Sequence, residues 1–173
     1  MEPRQGGFTQ KGKEMIAEMN KLGMIVDVSH LSVKGFWELV DMSEKPFVAS
    51  HSNVREVCSH PRNLSMDQIK VIIERQGRLG ITFVPSFVKQ QSVAQIHHLL
   101  HHIEAICSLG GEHVVGFGSD FDGIEHWIVG LEHAGHYDHL VNELCKRYSE
   151  DQVKRFLYVN WRNFLVKNLP NAK

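Results

Sequence analysis

The fold is decided by a run of apolar residues that ends on a histidine, Gly23-Met-Ile-Val-Asp-Val-Ser-His30. The same pattern recurs at Pro46-Phe-Val-Ala-Ser-His51 and at His113-Val-Val-Gly-Phe-Gly-Ser-Asp120. Such runs are typical of buried parallel strands, and α/β folds place their active sites at the carboxyl ends of those strands. Three strands that bring His, His and Asp to one edge indicate a metal-dependent enzyme. The competing interpretation is that each of these residues simply ends a strand and is satisfied by local hydrogen bonds. That interpretation is weaker for three such residues at one edge than for a single one.

Helices alternate with strands along the whole chain. Capping residues followed by amphipathic patterns predict helices after Thr9 (ending at Gly23), Ser32, Ser65 (ending at Gly77), Ser92 (ending near Leu109) and Ser149, with another near 139–148. The predicted strands are Met24–Val28, Pro46–Ser50, Arg78–Val84 and His113–Gly118. No repeat or linker interrupts this order. We therefore expect residues 1–173 to form one α/β domain with parallel strands.

Four strand–helix units suggest half of a larger architecture. A closed TIM (β/α)₈ barrel needs eight units and about 250 residues. An open doubly wound sheet is the other arrangement for four units, but no glycine-rich phosphate loop follows the first strand. The sequence therefore favours half a barrel.

The composition is that of an ordinary globular domain, with 42% hydrophobic and 23% charged residues in a chain of 173. A formal net charge of −1 gives no electrostatic basis for binding nucleic acid or an anionic membrane surface. We expect no membrane span and no signal peptide, because no apolar run is long enough for either. The three cysteines, Cys58, Cys107 and Cys145, lack the spacing of a zinc site or disulfide framework, which favours a cytoplasmic location.

Three motifs resemble one known family. They are Asp27-Val-Ser-His30, His51-Ser-Asn-Val-Arg-Glu-Val-Cys-Ser-His-Pro-Arg-Asn-Leu64 and Gly116-Phe-Gly-Ser-Asp-Phe-Asp-Gly-Ile124. In this order and spacing, the chain is similar to the membrane (renal) dipeptidase family of metallopeptidases, in its bacterial form, from about Gly7 to the last helix. The resemblance implies a (β/α)₈ barrel with two zinc ions that hydrolyses dipeptides. It also implies that this chain is the second, C-terminal half of that barrel.

The resemblance implies roles for four residues. His30 and His51 match the two histidines that bind the second zinc ion. Arg62 matches the arginine that holds the terminal carboxylate of the substrate. Asp120 matches the acid that contacts the substrate's amino group and is placed to move protons at the scissile amide. These residue types suit the tasks, since neutral imidazole binds zinc and a guanidinium fork fits a carboxylate. Without the resemblance, a solvated loop arginine is the interpretation we would favour for Arg62.

Other ligands of the family's zinc site have no counterpart in this sequence. The resemblance implies a His-x-Asp pair on the first strand of the barrel and a bridging glutamate on the third, both before the matching region. One such triplet occurs, His136-Tyr-Asp138, but it follows the last predicted strand and is expected at the surface. We therefore expect at most one partial zinc site here.

Four further histidines have the i, i+4 spacing of a helical metal site. They are His97, His98, His101 and His102. Apolar residues such as Leu99 and Ile103 define the other face of this helix, so we expect all four histidines on a solvated surface. His60 is expected to be structural.

Two functions remain open. The chain is the C-terminal half of a zinc-dependent dipeptidase that needs an N-terminal half, or it is a truncated, non-catalytic remnant. In both cases the predicted strands are apolar on both faces and two sheet edges are left open. We therefore expect self-association or an N-terminal half-barrel partner, with a dipeptide as the substrate of the active form. The sequence does not specify which dipeptides are cut.

Overall fold

The chain folds as an α/β structure, and a computed structural model describes its residues 6–170. The helices are α1 Gln10–Leu22, α2 Val33–Met42, α3 Met66–Glu74, α4 Pro85–Val88, α5 Ile96–Ser108, α6 Tyr137–Cys145, α7 Glu150–Lys154 and α8 Asn160–Asn168. The strands are β1 Val48–Ala49, β2 Arg78–Ile81 and β3 Val115–Phe117. A π-helical turn, Arg155–Val159, joins α7 to α8, and 3₁₀ turns cover Glu112–Val114, Phe121–Gly123 and Ala134–His136.

The sheet has the strand order β1-β2-β3, and both strand pairs are parallel. Val48 pairs with Arg78, and Leu79 pairs with Val115. This confirms the predicted α/β class with parallel strands. Within residues 6–170, β3 has no hydrogen-bonded strand on its outer side. The three strands therefore form an open sheet whose carboxyl ends share one edge.

The predicted strand Met24–Val28 is reduced to a single parallel bridge between Asp27 and Val48. Two hydrogen bonds hold it, from Val28 N–H to the Val48 carbonyl at 2.8 Å and from Val48 N–H to the Val26 carbonyl at 2.9 Å. The segment is short because turns limit it at both ends. Met24 N–H still bonds back to α1, and Leu31 N–H already bonds to the Val28 carbonyl.

The other predicted strands are present but shorter than expected. The strand predicted for Arg78–Val84 ends at Ile81, because the Asn53 side chain forms hydrogen bonds with the backbone of the next residue, Thr82. Asn53 Oδ1 accepts the Thr82 N–H, and its Nδ2 donates to the Thr82 carbonyl, both at 3.1 Å. The last predicted strand begins at Val115, since a 3₁₀ turn occupies the residues before it.

Most predicted helix starts are confirmed by side-chain caps. Thr9 caps α1, Ser32 caps α2, Ser65 caps α3 and Ser149 caps α7. The start predicted at Ser92 is wrong. Helix α5 begins at Ile96, because the Gln95 N–H finds its acceptor in Nδ1 of His98 at 3.0 Å. The predicted stop at Gly77 is also wrong, since α3 ends at Glu74.

The core lies between the sheet and the helices packed on it. Fully buried side chains include Phe36 of α2, Ile69 of α3, Leu79 of β2, Leu99 of α5 and Phe164 of α8. Burying each such side chain contributes about 1.5–3 kcal/mol, so contacts between layers hold the strand ends in place. None of the helices within residues 6–170 is both long and apolar enough to cross a membrane.

Candidate active site

Two predicted site residues meet at the carboxyl edge of the sheet. His30 follows the bridge segment, and His51 follows β1. Their Nε2 atoms lie 2.8 Å apart, and their ring centroids are 4.8 Å apart. The sequence pattern predicted that neighbouring parallel strands would bring these two residues together, and the structure places them so.

Arg62 lies against this histidine pair. Its Nη2 donates to the Ser29 carbonyl at 3.0 Å and lies 3.3 Å from Nε2 of His30. The guanidinium carbon is 5.7 Å from the centre of the Phe87 ring. The Nε atom is buried and has no hydrogen-bond partner within the described part of the chain. Burial lowers the pKa of Arg62, while the charges of Asp120 and Asp27 oppose that shift.

The loop that carries Arg62 is held by its own backbone. Leu64 N–H bonds to the Asn53 carbonyl at 2.9 Å, which closes the loop. The Asn63 amide donates to the Phe87 carbonyl at 2.8 Å. The structural role expected for His60 is supported, because its Nδ1 accepts the Arg62 N–H at 3.2 Å and its ring lies 4.2 Å from that of Phe87.

Asp120 follows β3 and has a left-handed backbone, with φ of 63°. Few non-glycine residues adopt this conformation, although Asp tolerates it better than most. Its carbonyl accepts the Gly123 N–H at 3.0 Å, which closes the 3₁₀ turn. Burial is the largest cause that lowers the pKa of His30, followed by the charge of Arg62, while the charge of Asp120 acts in the opposite direction. Asp120 therefore belongs to the same electrostatic environment as His30 and Arg62.

A carboxylate, Asp27, lies behind the two histidines and bonds to both of their strand ends. Its Oδ1 accepts hydrogen bonds from the Ser29 and Ser50 N–H groups, both at 3.0 Å, and from the Ser29 hydroxyl at 2.8 Å. Its Oδ2 accepts the Ser50 hydroxyl. Burial raises the pKa of Asp27, but these hydrogen bonds outweigh burial and leave the pKa below its ordinary value. Asp27 thus links the two strand ends that carry the histidines.

The network reaches His51 from two directions. The Ser50 hydroxyl lies 2.7 Å from Nδ1 of His51, and the Ser29 hydroxyl accepts the His51 N–H at 3.1 Å. Sequence reasoning missed Asp27 and Ser50 as parts of the site. Two signals were present in the sequence: a charged residue inside an apolar run, and a serine directly before each histidine.

The histidine pair fits part of a zinc site. Two imidazole nitrogens bound to one tetrahedral zinc at ~2.0–2.1 Å lie roughly 3.3 Å apart. The observed 2.8 Å requires the two rings to separate by only about 0.5 Å. No group of three or more His, Cys, Asp or Glu side chains within residues 6–170 is arranged to hold a metal ion. The separation of His30 and His51 is thus compatible with two ligands of one zinc ion, and residues 6–170 hold no complete set of ligands.

The expectation for the helical histidines is wrong at one position. His102 is fully buried instead of solvated. Its Nδ1 accepts the Val54 N–H at 3.1 Å, and its Nε2 lies 3.1 Å from the Val88 carbonyl. His102 therefore connects α5 to the segment after His51. His136 of the surface triplet is half-buried and bonds through Nδ1 to Glu132 at 2.8 Å.

Comparison with known proteins identifies the family. Residues 1–166 match the family model described as membrane dipeptidase, peptidase family M19. The chain belongs to this family. A curated relative, dipeptidase aclJ of Aspergillus oryzae, is 36% identical over 148 residues, which are 84% of this chain and 35% of the relative.

Two solved metallopeptidase structures are similar over 94% of this chain, each at 32% identity with a TM-score of 0.88. One is the dipeptidase AC, a metallopeptidase of family M19, of which this chain covers 49%. The other is a metallopeptidase from Rhodobacter sphaeroides liganded with a phosphinate mimic of the dipeptide L-Ala-D-Ala, of which this chain covers 47%. This M19 chain therefore spans about half the length of these structures, and about a third of the curated relative.

Proposed function

We propose that this chain forms the C-terminal half of the (β/α)₈ barrel of a zinc-dependent dipeptidase. One observation carries the proposal: the Nε2 atoms of His30 and His51 converge to 2.8 Å at the carboxyl edge of the sheet, beside the Arg62 guanidinium. Membership of family M19 supports it, as does the dipeptide mimic bound by the Rhodobacter sphaeroides relative. The open outer edge of β3 is where further barrel strands would continue the sheet.

His30 and His51 would hold one of two zinc ions, with the remaining ligands supplied by the N-terminal half of the barrel. Zinc, when bound, lowers the pKa of a coordinated water and polarises the amide carbonyl. The task of this chain's histidines is to present two neutral imidazole nitrogens at a fixed separation. Their backbones are tied to each other through Ser29 and Asp27, so the spacing is set before any ligand arrives.

Arg62 would bind the terminal carboxylate of the dipeptide. The Ser29 carbonyl fixes its Nη2, and the Phe87 ring supports one face of the guanidinium. The Nε–H of Arg62 is buried and has no hydrogen-bond partner within residues 6–170. We propose it as a further donor to the carboxylate of the dipeptide. A charge-assisted hydrogen bond of this kind contributes about 1.5–3 kcal/mol, which favours substrates with a free carboxylate.

Asp120 would contact the amino group of the dipeptide and carry protons at the scissile amide. A half-buried carboxylate beside His30 and Arg62 is suited to both tasks, because its position is set by the turn that follows β3. The left-handed backbone of Asp120 is the kind of local strain that structures retain at functional sites.

A chimeric protein tests the proposal. The N-terminal half of the Rhodobacter sphaeroides metallopeptidase is joined to this chain ahead of Gly7, and hydrolysis of L-Ala-D-Ala is measured with added zinc. We expect zinc-dependent hydrolysis that is abolished by His51→Ala and unchanged by the matched variant His101→Ala, since His101 is an exposed residue of α5. Hydrolysis that survives in His51→Ala would contradict the proposed role of the histidine pair.

A further inference from the structure

We propose that Ser50 and Asp27 are positioning residues that fix the tautomer of His51, with the proton on Nδ1 and the lone pair on Nε2. The lone pair then faces His30 and the proposed zinc position. The consequence for zinc rests on the proposed function, whereas the assignment of the tautomer rests on the hydrogen bonds of the chain alone.

The assignment follows from a count of protons around Asp27. The backbone N–H groups of Ser29 and Ser50 can only donate, so Oδ1 of Asp27 must accept from both. The oxygen of the Ser29 hydroxyl accepts the His51 N–H. The proton of that hydroxyl is then donated to Oδ1 of Asp27, 2.8 Å away. A carboxyl group that receives this many donors is held in its ionised, acceptor-only form.

The Ser50 hydroxyl has one proton and three polar neighbours, of which the Ser29 hydroxyl, at 3.4 Å, is the most distant and already gives its own proton to Asp27. Since ionised Asp27 can only accept, that proton goes to Oδ2 of Asp27. The Ser50 oxygen is then left as the acceptor for Nδ1 of His51, 2.7 Å away, so Nδ1 must carry a hydrogen. In a neutral imidazole the other nitrogen then has the lone pair. The lone pair of His51 is therefore on Nε2, and Nε2 of His30, 2.8 Å away, carries the hydrogen between the two rings. Nη2 of Arg62 then donates to the Ser29 carbonyl at 3.0 Å and not to His30, from which it is 3.3 Å away.

This arrangement matches what a zinc ligand needs. A metal-binding histidine commonly donates its other ring N–H to a carboxylate, a carbonyl or a water, which fixes the ring and the tautomer. Here a serine stands between the ring and the carboxylate. The alternative is that Asp27 and Ser50 only join two strand ends, in which case the tautomer of His51 would not depend on the Ser50 hydroxyl.

The tautomer is measured by ¹⁵N NMR of the histidine-labelled, metal-free chain at pH 8. We expect His51 in the Nδ1–H form. In Ser50→Ala the ring should revert towards the Nε2–H form, and Ser50→Thr should restore the Nδ1–H form. Asp27→Asn gives a sharper test: an amide nitrogen in place of Oδ2 donates to Ser50, which must then donate to His51 and impose the Nε2–H form.

Zinc affinity is the second measurement, made by titration of the same variants with the metal alone. We expect Ser50→Ala to weaken zinc binding 10–100-fold, the range typical of lost support behind a ligand. The matched control is Ser52→Ala, because the buried hydroxyl of Ser52 has no hydrogen-bond partner among residues 6–170. That variant should keep the tautomer and the affinity of the unmodified chain.

The outcomes separate this inference from the proposed function. A His51 that is Nε2–H in the unmodified chain, or unaltered by both Ser50→Ala and Asp27→Asn, overturns the inference. If the tautomer changes as expected in the variants, the positioning of His51 by Ser50 and Asp27 is upheld. If zinc binding is at the same time unchanged in His51→Ala, the proposed zinc site is overturned.

Discussion

Buried His102 makes the stability of the chain depend on pH in a way that can be calculated. Burial lowers the pKa of His102 from its ordinary value of 6.5 to about 4. As the pH falls below 6.5, the unfolded chain takes up a proton at this residue while the folded chain does not. The folded state is therefore fully stabilised above pH 6.5 and loses stability as the pH falls towards 4.

The size of the effect follows from the separation of the two pKa values. A difference of about 2.5 pKa units corresponds to about 3 kcal/mol once the pH is below both values. Between pH 7.5 and pH 5, the loss from this one residue is about 2 kcal/mol. His102→Gln removes this dependence, because glutamine does not titrate. At pH 7.5 the same variant costs about 1–3 kcal/mol, since the Val54 N–H loses its acceptor.

Urea unfolding followed by circular dichroism at pH 7.5 and pH 5, at one protein concentration, measures the difference. We expect the free energy of unfolding of the unmodified chain to fall by about 2 kcal/mol more than that of His102→Gln over this interval. The matched control is His101→Gln on the exposed face of α5, which should retain the pH dependence of the unmodified chain. Equal pH dependence in His102→Gln and the unmodified chain would refute a neutral, buried His102.

Three further outcomes test other parts of the structure. In the chimera, Arg62→Ala should lower the preference for dipeptides over their C-terminal amides by one to two decades; an unaltered preference would contradict the carboxylate role. Asn53→Ala should destabilise the chain by at least about 2 kcal/mol in urea unfolding, because two buried Thr82 backbone groups lose their partners, whereas exposed Asn142→Ala should not. The chain alone should show no dipeptidase activity with added zinc and should self-associate in size-exclusion chromatography with light scattering; a stable, active monomer would contradict both expectations.

The sequence predicts that His30 and His51 meet, because the local pattern and the topology of the sheet both point to it. His30 and His51 each end an apolar run, and neighbouring parallel strands must bring such ends to one edge. The serine and threonine caps were equally visible, because a cap bonds to a backbone group only a few residues away. Within these limits, the class of fold and the histidine pair could be derived without coordinates.

The remaining features depend on partners that are distant in the chain. The sequence pattern places His102 on the polar face of its helix, but its role as an acceptor is set by the N–H of Val54, 48 residues earlier. The early end of β2 depends on the Asn53 side chain, which bonds to a residue 29 positions later. The link between Asp27 and Ser50 spans 23 positions. No periodicity within one segment encodes such pairs.

Zinc titration calorimetry of the chain measures whether His30 and His51 form a metal site at the carboxyl edge of the sheet. We expect one zinc ion per chain, bound more weakly than in a four-ligand structural site, with binding lost in His51→Ala and retained in His101→Ala. Binding that is retained in His51→Ala and lost in His101→Ala would contradict a site at His30 and His51 and place the metal on helix α5.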